Sequence, residues 1–263
     1  MDAERYHAFT RALTERLAAD ERVRGLVAVG SMAASDHQPD EWSDHDFLML
    51  VADEAATYFR SATDWLPDHA SILLHFPETE HGVKILYQDG HLLEFAVFTA
   101  ADFDLARINS QRVLVDRDGF TDRVARLVAD TRASAAGETK SDAWLLGQFL
   151  THLLVGLGRH ARGEHLSGRR HVKEFGLADL LQLLSRHKAA EAEGHLDNLD
   201  VFRRFERAYP QLGMELNRAL EQPTLRSALD MLDLLEAELS GLMDATHQAA
   251  AGVLRAKINE LLS

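Results

Sequence analysis

Predicted β-strands occur only in the first half of this chain. Before about residue 135, short β-type runs alternate with polar turns, at 25–29, 46–51, 71–76, 82–87, 91–98 and 112–116. After the small and polar stretch RASAAGETKSD, residues 132–142, leucines recur at three- and four-residue intervals and no strand pattern follows. We therefore predict an α+β domain over 1–135, a mixed sheet with flanking helices, and an all-α helical bundle over 136–263.

Helical periodicity gives the remaining predicted elements. In the first half the pattern indicates helices over 3–19, 53–62 and 119–132, and in the second half over 141–162, 171–188, 200–210, 224–243 and 246–262. The leucine-rich segment 225–243 favours packing within the bundle, and a homodimer face is the alternative.

Composition and charge exclude several classes of function. The 263 residues are 46% apolar and contain no cysteine, which excludes disulfides, thiolate zinc sites and cysteine nucleophiles. The formal net charge of −14 argues against a nucleic-acid partner, because binding to phosphate normally needs a basic surface. No apolar run is long enough to cross a membrane and the N-terminus is charged, so we expect a cytoplasmic protein without a membrane partner.

A glycine and a serine follow the first predicted strand. Gly30 tolerates backbone conformations and close approaches that other residues do not, and Ser31 can cap a helix that begins there. The same hydroxyl and exposed amides can instead receive a phosphate group. The Gly-Ser pair alone does not decide between a plain turn and a phosphate site.

Two aspartates open the next predicted strand. If WSDHDFLMLV is extended, Asp44 and Asp46 share one face, about 6 to 7 Å apart along the backbone, while His45 points to the opposite face. Like charges on one face repel, and a divalent cation removes that penalty. The alternative is that Asp44 caps a turn and Asp46 is a solvated edge residue.

Glu94 is an acidic residue inside the apolar run HLLEFAVF. Alternation places its side chain on the face opposite Leu93 and Phe95, where burial without a partner would be costly. On a solvent-facing edge strand it would have no special role. The position of Glu94 alone leaves both interpretations open.

The order of these motifs resembles the nucleotidyltransferase superfamily with a polymerase-β-like palm. That pattern is a Gly-Ser, an Asp-x-Asp on the next strand and an acidic residue on a neighbouring strand, and VGSMAAS, WSDHDFLMLV and LLEFAVF match it in order. Less specific likeness, in VLVDRDG and ARGEHL, extends to the two-domain lincosamide and aminoglycoside adenylyltransferases.

The resemblance implies an activity and a set of ligands. Asp44 and Asp46 would hold two Mg²⁺ ions that bridge the triphosphate of ATP or another nucleoside triphosphate, and Gly30 and Ser31 would contact phosphate oxygens. Glu94 would act as general base towards an acceptor hydroxyl or as a third metal ligand, and the spacing leaves both roles open. Related enzymes also suggest that a basic residue of the helical half reaches the triphosphate, and the candidates are Arg169, Arg170 and Lys173.

Other motifs receive structural interpretations. Asp116 is expected to end a strand and open the turn DRDG, where Gly119 supplies the turn geometry. GLGRH, residues 156–160, lies within a helical run and is interpreted as a close-packing feature. No P-loop and no dinucleotide-binding glycine motif is present.

The leading functional hypothesis is transfer of a nucleoside monophosphate, most simply AMP from ATP, to a hydroxyl of a small molecule such as an aminoglycoside or lincosamide antibiotic, with release of pyrophosphate. The negative charge favours a cationic acceptor. Two alternatives remain at this stage: a nucleotidyltransferase acting on a protein or tRNA, and an inactive nucleotide-binding or assembly protein.

Overall fold

The computed structural model describes residues 2–33, 39–108, 110–137, 140–191 and 200–263, with only the backbone for 134–137. The chain divides into two compact units, Met1–Gly137 and Glu138–Ser263. In the described ranges, no helix is both long and apolar enough to cross a membrane.

The N-terminal unit is built on a six-stranded mixed sheet with the order β3-β4-β5-β2-β1-β6. The strands are β1 (Val23–Val29), β2 (His45–Val51), β3 (Ile72–Pro77), β4 (Gly82–Tyr87), β5 (Leu92–Phe98) and β6 (Gln111–Asp116). The central pair β2–β5 is parallel, and the other neighbours are antiparallel. The helices of this unit are α1 (Ala3–Ala19), α2 (Ala56–Ser61) and α3 (Phe120–Gly137).

Strict alternation along the central strands gives the sheet two differently covered faces. One face packs on α1, whose apolar stripe includes Tyr6, Phe9 and Leu13, and it forms the larger core of the unit. The opposite face carries a smaller core, in which Val27 packs with Phe120 of α3. Asp46 and Glu94 lie on this second face and are half-buried, so the sheet leaves part of this face accessible.

A chain of buried polar groups lies on the α1 side of β2. Thr10 contacts His45 Nε2 at 2.9 Å, and His45 Nδ1 contacts His91 Nε2 at 2.7 Å. Because the Thr10 hydroxyl also donates to the carbonyl of Tyr6, the consistent arrangement has Nε2–H donating on both neutral imidazoles. Burial lowers the pKa of His45 to about 3 and that of His91 to about 4, so both rings stay neutral near pH 7.

The second unit consists of helices in every described stretch of 140–191 and 200–263. They are α4 (Asp142–Ala161), α5 (His165–Arg170), a π-helical segment (His171–Gly176), α6 (Leu177–His187), α7 (Phe205–Ala208), α8 (Pro210–Glu221), α9 (Thr224–Leu239) and α10 (Ala245–Leu262). Their leucines form one continuous core, which includes Leu225, Leu229 and Leu232 of α9. The leucine-rich segment therefore packs within its own unit.

Glycines allow α4 and α5 to pack closely. A Cβ on Gly156 would lie 2.6 Å from Val172 Cγ2, and one on Gly168 would lie 2.9 Å from the carbonyl oxygen of Gly156. The glycine-containing run in α4 is thus a close-packing feature, as its sequence indicates.

Most predicted elements are found, with four differences. The predicted linker begins too early, because α3 continues to Gly137 and α4 starts after its cap, Ser141. The predicted helix 171–188 starts six residues earlier, at His165, and contains the π-helical segment. The predicted helix 200–210 reduces to the short α7, and the prediction omitted α8, although Pro210 at its first turn is a favourable start signal.

We predict that the buried histidines make the N-terminal unit sensitive to acid. As pH falls below about 6.5, the unfolded chain binds protons that folded His45 and His91 do not, so the free energy of unfolding decreases until pH approaches the folded pKa values. The contribution is about 1.4 kcal/mol per pH unit for each histidine. The slope of the free energy of unfolding against pH reports the number of protons taken up on unfolding. Between pH 6.5 and 5, His91→Gln should lower that number by about one, measured by urea unfolding at a series of pH values.

The control is His69→Gln, which replaces an exposed histidine and should leave that slope unchanged. Comparing slopes between variants is necessary because burial raises the pKa of Asp179 to about 6, and this acts in the opposite direction. Equal slopes for the wild type and His91→Gln would contradict the prediction.

Candidate active site

The corner after β1 is shaped by contact with an aspartate. β1 ends at Val29, and the chain turns through a short 3₁₀ segment, Gly30–Ala33. Gly30 has φ +53°, and a Cβ at this position would lie 2.7 Å from Asp46 Oδ2. Glycine is therefore required both by the left-handed backbone and by the carboxylate that packs against it.

The Ser31 hydroxyl organises the loop that carries Asp44. It is buried and donates to the carbonyl oxygen of Asp44 at 3.0 Å, and the phenol of Tyr6 donates to the same oxygen at 2.8 Å. The serine proton is thus already engaged, and the hydroxyl fixes the start of β2 relative to the corner. The predicted phosphate contacts of Gly30 and Ser31 remain predictions.

Asp44 and Asp46 lie at the start of β2. Asp44 immediately precedes the strand, Asp46 is its second residue, and both side chains are half-buried. Burial, together with the negative charges of Asp46 and Asp44, raises the pKa of the Tyr6 phenol far above its usual value. His45, between them, is fully buried on the opposite face, where it stacks on Tyr6.

The third acidic residue lies directly beside Asp46. In the parallel pair β2–β5, Asp46 is the register partner of Glu94, and both side chains belong to the incompletely covered face of the sheet. Parallel neighbours of this kind have backbones about 4.8 Å apart. The fold therefore brings together two acidic residues that are separated by more than forty positions in the sequence.

A lysine that the sequence analysis did not identify completes this row. Lys84 on β4 is the register partner of Glu94. Its Nζ lies 2.9 Å from Glu94 Oε1 and 2.9 Å from Glu78 Oε1. Lys84 could have been identified from the sequence, because it is a charged residue between Val83 and Ile85. A β4–β5 hairpin would place its side chain on the same face as Glu94.

Asp46, Glu78 and Glu94 border a cavity within the N-terminal unit. Its volume is about 350 Å³, and its lining includes Val29, Asp46, Leu48, Glu78, Thr79, Gly82, Glu94 and Ala96. The floor is formed by small and aliphatic side chains of the sheet, and the ionisable lining groups are all carboxylic acids. Such a surface favours a ligand that carries positive charge.

The candidate metal ligands fit Mg²⁺ in chemical type but do not form a complete set. Carboxylate oxygens are suitable donors for Mg²⁺, and Asp44 and Asp46 supply them at the start of one strand. Glu94, in contrast, is held by Lys84. Across the described part of the chain, no group of three or more His, Asp or Glu side chains is arranged to hold a metal ion. We therefore keep Asp44 and Asp46 as candidate ligands and give Glu94 a separate role.

The three basic candidates of the helical unit have different surroundings. Lys173 donates to the carbonyl oxygens of Leu220 and Gln222, at the end of α8, and burial lowers its pKa. Arg169 and Arg170 are both exposed, and Arg170 also pairs with Glu174 and lies over the ring of Phe175. The environment of Lys173 indicates a structural role, so we do not include it among the proposed nucleotide ligands.

Comparison with known proteins agrees with this arrangement of motifs. Residues 6–135 match the model of the streptomycin adenylyltransferase family. The match covers the N-terminal unit and every candidate residue of its site, and it confirms the predicted resemblance to the nucleotidyltransferases. No curated protein gives a significant match.

Solved structures give distant likenesses. An aminoglycoside 6-adenyltransferase from Bacillus subtilis is 17% identical, with 96% of this chain and 94% of that chain covered and a TM-score of 0.31. A nucleotidyltransferase-like protein from Exiguobacterium sibiricum 255-15 is 13% identical, with 88% and 75% covered and a TM-score of 0.35. At these TM-scores the likenesses carry no argument.

We predict that Gly30→Ala disrupts the site more than it disrupts the fold. The left-handed backbone costs about 1 to 2 kcal/mol for alanine, and the new methyl group must also displace the Asp46 carboxylate. Gly119→Ala is the matched control, because Gly119 has φ +75° with nothing within 4 Å of an added Cβ. Both variants should lose similar stability in urea unfolding, and only Gly30→Ala should lose Mg²⁺-dependent nucleotide binding as well.

We also predict that Lys173 stabilises the helical unit. Lys173→Met leaves the last carbonyls of α8 without their donor and should lower the free energy of unfolding by about 1 to 3 kcal/mol. Arg169→Met, an exposed neighbour, should change stability by less than about 0.5 kcal/mol. A Lys173→Met protein that keeps its stability but loses nucleotide affinity would contradict this assignment.

Proposed function

We propose that this protein is a Mg²⁺-dependent nucleotidyltransferase that moves a nucleoside monophosphate, most simply AMP from ATP, to a hydroxyl of a small molecule and releases pyrophosphate. The observation that carries the proposal is the in-register pair of Asp46 and Glu94 on the accessible face of the sheet. The match to the streptomycin adenylyltransferase family over residues 6–135 supports the reaction class.

In this proposal, two aspartates bind the metal ion and other residues orient these two ligands. Asp44 and Asp46 would hold Mg²⁺, which when bound offsets negative charge on the phosphates and on the attacking and leaving oxygens. Gly30 lets the Asp46 carboxylate pack against the corner, and Ser31 and Tyr6 fix the backbone of Asp44. The ligand pair is thus oriented by the fold before any nucleotide binds.

Glu94 is proposed as the general base. Its carboxylate accepts the proton of the acceptor hydroxyl while that oxygen forms a bond to the α-phosphorus of the nucleotide. The bond between the α-phosphorus and the bridging oxygen breaks, and the electron pair leaves with pyrophosphate. The half-buried position of Glu94 on the cavity wall, next to Asp46, suits this role.

The proposed acceptor is a cationic, hydroxyl-bearing small molecule, with an aminoglycoside or lincosamide antibiotic as the substrate class. Support comes from the carboxylate lining of the cavity, from the net charge of −14 and from the family match. We also propose that the helical unit, residues 136–263, takes part in acceptor binding and offers the face for a homodimer.

The direct test incubates the purified protein with Mg²⁺, α-labelled ATP and a panel of aminoglycosides and lincosamides. We expect acceptor-dependent release of pyrophosphate and transfer of the label to the antibiotic. Label found on protein or tRNA instead would favour the first alternative function. Nucleotide binding without turnover, unaffected by Asp46→Asn, would favour the inactive binding protein.

Substitution of the acidic residues should abolish most of the activity. Asp46→Asn and Glu94→Gln should each lower kcat at least about 100-fold, since each removes several kcal/mol of stabilisation of the reaction. Asp53→Asn is the matched control, because Asp53 is exposed just beyond the other end of β2. If Asp53→Asn and Asp46→Asn retain equal activity, the proposed site is wrong.

A further inference from the structure

The ammonium group of Lys84 is bound between two carboxylates. Its distances to Glu78 Oε1 and Glu94 Oε1 are both 2.9 Å, and the side chain is only 25% exposed. The two ion pairs raise the pKa of Lys84 well above its usual value. A lysine held on both sides has little freedom, so it can fix the position of the groups that it contacts.

Lys84 also belongs to a row of charges across the sheet. The register pairs are Lys84 with Glu94 and Glu94 with Asp46, so three neighbouring strands present cation, anion and anion on the same face. Lys84 and Asp46 lie on opposite sides of Glu94, because β5 lies between β4 and β2. The repulsion by Asp46 and the attraction by Lys84 therefore act on the Glu94 carboxylate in the same direction and give it one defined position, on the β4 side.

The lysine is itself held by the turn between β3 and β4. Glu78 follows the end of β3, and its amide donates to the carbonyl of Gly82 at 2.9 Å. The amide of Gly82 donates to Thr79 Oγ1 at 2.8 Å, which closes the turn. Both partners of Lys84 are therefore attached to backbone that is fixed by hydrogen bonds.

We propose that Lys84 is a positioning residue, which acts through Glu94 to hold the carboxylate of the general base at the cavity wall, with Glu78 as its anchor. This inference rests on the proposed function, since it assigns a role within the same site. Lys84 does not line the cavity itself, whereas Glu78 and Glu94 do. Its effect should therefore appear in the chemical step and not in the binding of nucleotide.

The test is steady-state kinetics of Lys84→Met and Lys84→Arg with ATP and the antibiotic acceptor. A misplaced base costs about 10- to 100-fold in rate, so Lys84→Met should lower kcat by that factor while KM for ATP changes less than about twofold. Arginine can still bridge two carboxylates, and Lys84→Arg should recover most of the lost kcat. Glu78→Gln, which removes the anchor, should give a smaller loss than Lys84→Met.

A double variant separates positioning from a general structural effect. In Glu94→Gln/Lys84→Met the lysine no longer has a base to position, so this variant should be no slower than Glu94→Gln alone. Lys188→Met, which removes the 2.6 Å ion pair with Glu238 in the helical unit, controls for the loss of a lysine and should keep kcat.

Other outcomes would contradict either the role of Lys84 or the proposed function. An unchanged kcat in Lys84→Met, or additive losses in the double variant, would show that Lys84 does not act through Glu94. A large rise in KM for ATP at constant kcat would make Lys84 a phosphate ligand. A wild-type protein without any transferase activity would overturn the proposed function and this role together, whereas an active wild type leaves the role of Lys84 to be decided by the variants.

Discussion

The parallel register of β2 and β5 is the constraint on which the candidate site depends. It makes Asp46 and Glu94 direct neighbours, and a shift by one residue would turn one of them towards the α1 core. The alternating apolar residues prevent that shift, because Phe47 and Phe95 stack on the α1 side with ring centroids 5.0 Å apart. The hydrophobic packing of one face thus determines the chemistry of the other.

The residues around the Gly30 corner couple the site to the N-terminal helix. Tyr6 of α1 donates to the carbonyl of Asp44 and stacks on His45, so one side chain orients the aspartate loop from the core. Ser31 binds the same carbonyl from the corner. Because these contacts are made to the backbone and to the buried face, the carboxylates of Asp44 and Asp46 need no rearrangement of the core to bind ligands.

The sequence predicted the fold where local patterns determine the structure. Short β-type runs between polar turns located the six strands of the described sheet, and helix 3–19 matches α1 in both limits. The order of motifs brought Asp44, Asp46 and Glu94 into one hypothesis, and the structure makes Asp46 and Glu94 neighbours. The prediction was weaker where a boundary depends on tertiary contacts: α3 continues into the polar linker, and the omitted α8 is a short helix that buries Leu216 and Ala219 in the bundle. The cluster of Lys84, Glu78 and Glu94 was not predicted because its contacts depend on how three successive strands pair, although a β4–β5 hairpin would have indicated the Lys84–Glu94 pair.

Two lysines illustrate why charge in a sequence does not define function. Lys173 lies in the densest basic cluster of the chain and resembles a phosphate ligand, yet its ammonium group binds the carbonyls at the end of a helix. Lys84 is an isolated basic residue in an apolar strand, yet it binds the acidic residue that we propose as the catalytic base. The difference arises from the acceptors around each ammonium group. Lys173 binds main-chain carbonyls and so stabilises a helix end, whereas Lys84 binds two carboxylates at the cavity, one of which is the proposed base.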